Sequence, residues 1–227
     1  MTIHYHGTPI TPLSVLYELA GRHFCVSHAR PDHVRQCHQI GQSVMLDNGA
    51  FSAWKRGYAP QWEAYYAWCD EWLNHPTTWA VIPDEIDAGW QAQDALLRQW
   101  PHGHRGAPVY HMDEAIARLH TLIDAGWPRV CVGSTAEYAA VMSPPWTRRM
   151  DEIWNSLTRA YGRAPHLHML RGMQLSGGPY PFASLDSTDI AQNHHLPHKG
   201  PRSMADRWDA SQCAMLWHIR ATQEELL

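Results

Sequence analysis

The chain has 227 residues, 44% of them hydrophobic, and a formal net charge of −4. That length allows one large domain, residues 1–227, with a full core, and the hydrophobic content is that of a globular protein. The charge excludes a surface coated in cations, though not a local basic groove, and no run approaches the length of a membrane span, so no membrane partner is expected.

Short apolar runs recur from end to end: Ile3 to His6, Phe24 to Ser27, Val44 to Asp47, Trp79 to Asp84, Pro108 to His111, Val130 to Gly133, Leu167 to Arg171 and Phe182 to Asp186. Each reads as a buried strand. Between them lie stretches of helical spacing: Trp62, Tyr65, Cys69 and Trp72; Ile116, Leu119 and Ile123; Met150, Ile153, Leu157 and Tyr161; and finally Met204, Trp208, Met215 and Ile219. Pro12, Pro31, Pro60 and Pro145 suit first helical turns, and Gly21, Gly41, Gly126 and Gly162 suit helix ends. Eight strands alternating with helices predict an α/β fold, a single (β/α)8 TIM-type barrel. The seventh βα unit is abbreviated, because Gly172 to Pro181 is too short and too rich in Gly and Pro for a full helix. A doubly wound open sheet is the alternative.

The five cysteines, Cys25, Cys37, Cys69, Cys131 and Cys213, form no CxxC pair, so neither a disulfide framework nor a zinc knuckle is expected. The opening MTIHYHGTPI lacks the charged-then-apolar pattern of a secretion signal. A reducing cytoplasm is the expected compartment. Seventeen histidines keep a metal site under consideration.

Polarity arrives at the C-terminal end of every run: His6, Ser27 with His28, Asp47, Asp84, His111, Gly133 with Ser134, Arg171 and Asp186. In a barrel those ends share one rim, where catalytic groups sit. Asp47, Asp84 and Asp186 then form a carboxylate cluster without an obvious positive partner, suited to metal binding or to acid/base and nucleophilic work at an acetal-like carbon. Each acid taken alone also suits a helix N-cap, and capping or solvation is the preferred reading for Glu85, Asp87 and Asp189. After Asp47, the turn residues Asn48 and Gly49 lead into Phe51, Trp54, Lys55 and Arg56, a loop able to stack on a flat ring. Asn193 to Arg207, NHHLPHKGPRSMADR, reads as a loop. Its Lys199, Arg202 and Arg207, with Lys55, Arg56, Arg105, Arg148, Arg149 and Arg171, suit either a phosphate-binding rim or ordinary solvated charge.

DNGAFSAW, IPDE, PVYHM, VCVGS, LHMLRG and ASLDS occur in this order between about Ser43 and Asn193. The series resembles the strand ends of the tRNA-guanine transglycosylases, and most closely their short phage-type relatives that install 7-deazaguanine bases in DNA. The resemblance implies that Asp186 attacks C1′ of a target guanosine and that Asp47 is the general acid/base. It implies that Asp84 reads the guanine-like edge, that Gly133 offers its N–H to the base O6, and that Phe51 covers the base. His111, Ser134 and Arg171 complete the implied base site, and Lys55, Arg56, Lys199 and Arg202 the nucleic-acid contacts. Implied partners are nucleic acid and a free 7-deazaguanine base such as preQ0, with no cofactor or metal; a phage-encoded enzyme would work in the host cytoplasm. Two departures stand out: His111 replaces the family's glutamine, and the zinc subdomain is missing, which favours DNA over tRNA.

Two rival functions remain. His4 and His6, with His111 and Asp186, resemble part of a metal-dependent amidohydrolase set, although Gly133 leaves that set a ligand short. A barrel that binds a base or nucleic acid without catalysis is the third reading. His166 and His168 form a second HxH, placed far from the rim and read as packed or hydrogen-bonded.

Overall fold

The structure, a computed structural model, describes residues 1–220; the last seven residues of the expected domain lie outside the described residues. Nine strand segments run in chain order: β1 (Ile3–Gly7), β2 (His23–Ser27), β3 (Ser43–Asp47), β4 (Thr78–Val81), β5 (Gly106–Ala107), β6 (Val109–His111), β7 (Val130–Gly133), β8 (Leu167–Met169) and β9 (Ser184–Ser187). Every pairing between them is parallel, and the spatial order is β5-β4-β3-β2-β1-β9-β8-β7-β6. Its two ends, β5 and β6, are separated in the chain by Pro108 alone, so the chain itself joins the edges into a nearly closed barrel. Proline has no N–H to give a ladder, which accounts for the break there.

Helices cover the outside. The stripe from Trp62 buries Tyr65, Cys69 and Trp72 in the helix Trp62–Trp72, and the stripe from Met150 buries Met150, Ile153 and Leu157 in Pro144–Tyr161, where the Ser143 hydroxyl caps the first turn. Two apolar layers result, one over β2 to β4 and one over β6 to β9. The final stripe is corrected: the helix Pro201–Ala210 carries Met204 and Trp208, but Met215 and Ile219 lie beyond it and are exposed. Gly172 to Pro181 holds only a 3-10 turn, Met173–Leu175.

A third, smaller core fills the barrel itself, with Tyr5, Cys25, Met45, Trp79, Val109 and Cys131. Tyr5 is its polar pivot, accepting from Trp79 Nε1 at 2.9 Å and from the Ser43 hydroxyl at 3.1 Å. Strand side chains alternate, so with Tyr5 inside, His4 and His6 point outward. His4 meets Ser176 and Asp209 among the outer elements. Among the described residues no helix is long and apolar enough to cross a membrane.

Candidate active site

A cleft of about 700 Å³ opens at the C-terminal ends of the strands, and Asp47, Asp84, His111, Gly133, Ser134, Arg171 and Asp186 all line it. The volume is that of a small-molecule site. A second cavity, of about 600 Å³, lies at the other end of the barrel near Trp127, Tyr161 and His166. None of the rim carboxylates reaches it.

Asp47 ends β3 in register with Ser27 of β2. Next, Asn48 and Gly49 turn the chain. Asn48 Oδ1 accepts from Ala50 N at 2.8 Å, and Gly49 takes φ +78°, a conformation that favours glycine. The turn launches the helix Ala50–Arg56, which carries Phe51, Lys55 and Arg56 to the cleft wall. Burial pushes the Asp47 carboxyl up to about 6; the Ser27 hydroxyl pulls against that, and the charges of Asp186 and Asp84 reinforce it.

Asp84 follows β4 by three residues and is buried. Its Oδ1 accepts from Asn48 Nδ2 at 2.7 Å and its Oδ2 from His111 Nε2 at 2.9 Å. Burial lowers the His111 pKa, but the hydrogen bond and charge of Asp84 outweigh it and leave the imidazole raised. Gly133 makes room for this pair, since a Cβ there would sit 3.2 Å from His111 Cδ2.

Asp186, on β9, is buried as well. Its Oδ1 accepts from Arg171 N at 2.7 Å and from His168 Nε2 at 3.2 Å. Arg171 sits at φ +53°, its N–H meets the carboxylate, and its guanidinium stacks 3.8 Å from the Phe51 ring centroid.

Several expectations are corrected. The acids are not without partners: His111 holds Asp84 and His168 holds Asp186. His168 is not remote from the rim but lies directly beneath Asp186. The alternation Cys131 N to Pro108 O and Met112 N to Gly133 O directs the Gly133 N–H along the ladder at Tyr110, so it is not free for a base O6. The Ser134 hydroxyl is engaged by Trp146 Nε1 at 2.9 Å. Outward-facing His4 and His6 leave the amidohydrolase set unassembled, and the described residues contain no group of three or more His, Cys, Asp or Glu placed to hold a metal.

The basic rim also contracts. Arg30, Lys55, Arg56 and Arg171 line the cleft; Lys199 and Arg202 do not. From Pro201 onward the expected loop is helix. Arg207 pairs with Asp189, and Arg149 is spent on the carbonyls of Met112 and Glu114. Arg105 precedes β5, at the opposite end of the barrel. The capping reading of Asp87 and Asp189 is corrected: the helix Trp90–Gln99 is capped at Gly89 and Asp189–Asn193 at Thr188, neither by a side chain, and each acid instead accepts from an indole, Asp87 from Trp54 Nε1 at 2.8 Å and Asp189 from Trp208 Nε1 at 3.1 Å.

Comparison with known protein families, curated proteins and solved structures found no match to this chain.

Proposed function

We propose that this chain is a base-exchange glycosyltransferase. It replaces guanine in nucleic acid, DNA rather than tRNA, with a free 7-deazaguanine base such as preQ0, through a covalent glycosyl–aspartate. On this reading the nine segments form an eight-stranded (β/α)8 barrel whose fifth strand is split at Pro108 and whose seventh unit is abbreviated.

The observation that carries the reading is the pair of unlike carboxyls in one cleft. Asp186 is held on Oδ1 by two N–H donors, while Oδ2 takes no hydrogen bond from the described residues. Asp47 is pushed up to about 6, where it can both give and take a proton near neutrality. Exchange with retention needs two inversions at C1′. In the first, an Oδ2 lone pair of Asp186 bonds to C1′, the C1′–N9 bond breaks, and the departing guanine takes its proton from Asp47. In the second, N9 of the incoming base bonds to C1′, its proton passes to Asp47, and the C1′–Oδ2 electron pair returns to Asp186. Asp84, fixed from both sides by Asn48 and His111, suits the N1–H and exocyclic amine of a guanine-type edge. A target in duplex DNA must be flipped out to reach this depth, and Lys55 and Arg56 stand ready for the flanking phosphates.

Mass-spectrometric mapping after quenching a reaction with a guanine-containing DNA oligonucleotide tests the reading. A sugar-linked peptide containing Asp186, and none in Asp186→Asn, is the expected result. An adduct on Asp47, or no exchange of labelled guanine by the wild type, rejects it.

A further inference from the structure

We propose that His168 is a positioning residue for Asp186: its Nε2–H fixes Oδ1, so that Oδ2 alone makes and releases the bond to C1′. The proposal rests on the reading of Asp186 as the nucleophile.

The geometry is a buried relay. His168 and Ser184 are 0% and 1% exposed. A carboxylate only accepts, so His168 Nε2 is the donor to Asp186 Oδ1. Its Nδ1, 2.8 Å from Ser184 Oγ, is then the acceptor in the neutral ring, and the serine hydroxyl donates to it. Ser184 is two residues before Asp186 on β9 and in register with His168 on β8, so the sheet itself sets the spacing. Edge contacts from Tyr5 and Trp79, with ring centroids 5.9 and 5.3 Å away, stop the imidazole from turning.

The chemical consequence follows from where charge moves. In the free enzyme Oδ1 carries half the carboxylate charge and is satisfied by two donors, His168 Nε2–H and Arg171 N–H. When Oδ2 bonds to C1′, Oδ1 becomes the ester carbonyl oxygen and keeps both. When the incoming base displaces the ester, negative charge redevelops on Oδ1, where both donors wait without reorganising, as in an oxyanion hole. His168 therefore assists the carboxylate as leaving group, and in the attack it serves by orientation, keeping Oδ2 toward the sugar without touching it. The Asp186 charge is felt by the Asp47 carboxyl and by the buried, neutral Cys25 and Cys131 thiols, Asp84 lines the same cleft, and Arg171 is the nearby cation.

The test compares His168→Leu, which removes the donor, with His168→Gln, whose amide can restore it, and with Ser184→Ala, which frees the tautomer. The carboxyl carbon NMR signal of Asp186 is titrated in each, and guanine exchange is assayed on a DNA oligonucleotide. In His168→Leu the Asp186 titration moves upward, because the carboxylate has lost a donor, and kcat falls about 10- to 100-fold at unchanged KM, the worth of a hydrogen bond to a charged group. His168→Gln recovers most of both, and Ser184→Ala lies between. An unmoved titration in His168→Leu and Ser184→Ala overturns the proposal, as does equal damage in the Leu and Gln variants with a raised KM, the mark of a packing role. The titration needs no substrate: a wild type that exchanges no base refutes the proposed function, while the titration still decides whether His168 holds Asp186.

Discussion

Asp84 Oδ2 and His111 Nε2 lie 2.9 Å apart, both buried, with Asn48 Nδ2 bound to the other carboxylate oxygen at 2.7 Å. His111 lines the cleft with its Nε2 committed to the acid, and what it offers a ligand is a fixed Asp84. Replacing it with Leu leaves a buried charge short of a donor, a change worth about 1.5–3 kcal/mol. Base affinity and thermal stability should both fall in His111→Leu and be largely kept in His111→Gln. The sign with pH follows from the raised imidazole. His111 stabilises the fold fully below its unfolded value and loses that contribution as pH rises through its folded value. The melting difference between wild type and His111→Leu should therefore be larger at pH 6 than at pH 9. A difference independent of pH would mean that the pair does not titrate as a unit.

Asp47 gives a slope of the same sign, at lower pH. Its carboxyl is raised from 3.8 to about 6, chiefly by burial, so the folded state holds the proton more tightly than the unfolded one. Stability then declines as pH rises from about 4 to 6, and the ionised group costs up to about 3 kcal/mol at neutral pH. Asp47→Asn should melt higher than wild type at pH 8 and no higher at pH 4. Its exchange should slow about 10²–10⁴-fold. On the proposed mechanism, single-turnover adduct formation requires protonated Asp47, so it should fall as pH passes 6 in the wild type, and that limb should vanish in the variant. Persistence of the limb in Asp47→Asn would assign the proton to another group.

His6 sets an acid limit on the fold. It is 1% exposed, burial holds its pKa down to about 4, and its Nε2 has no partner among the described residues. The unfolded chain protonates near 6.5, so it binds the extra proton first, and stability falls as pH drops from 6.5 to 4. His38 and His166, also held near 4, add to the same slope. His6→Phe should flatten this part of the stability curve in denaturant titrations at pH 5 and 7; an unchanged slope would mean that His6 is solvated in the native state.

Strand existence was legible because buried parallel strands read as clean apolar runs. The same property hid which face of a strand is inside. Parity puts His4 with His6 and apart from Tyr5, but with both faces buried nothing local says that Tyr5 takes the barrel. Asp47 and Asp186 could be found because each ends a run. His168 could not be placed: its contact with Asp186 depends on the β8–β9 register and on the reversal at Arg171, neither written in any short stretch. The split at Pro108 did carry a local signal, since proline cannot donate to the ladder. The helical reading of Met215 and Ile219 failed because matching spacing across Ser211 to Ala214 carried no continuous helix.

Arg171 separates two jobs that a substitution can pull apart. Its backbone N–H holds Asp186 Oδ1 at 2.7 Å, and its guanidinium lies 3.8 Å above Phe51. A planar base that stacks on this face of Phe51 has to displace the guanidinium, giving up a cation–π contact worth about 0.5–2 kcal/mol. Once displaced, the cation stands at the cleft mouth, where the phosphate of a flipped nucleotide would pass. Arg171→Ala keeps the N–H and loses only the side chain. Free 7-deazaguanine base should then bind at least as tightly as to wild type. Binding of a DNA oligonucleotide should weaken, with its salt slope shallower by about one unit. Calorimetry with the base and salt-titrated anisotropy with the oligonucleotide read the two separately. If both affinities fall together and the salt slope stays the same, the guanidinium belongs to the base site itself and does not exchange Phe51 for phosphate.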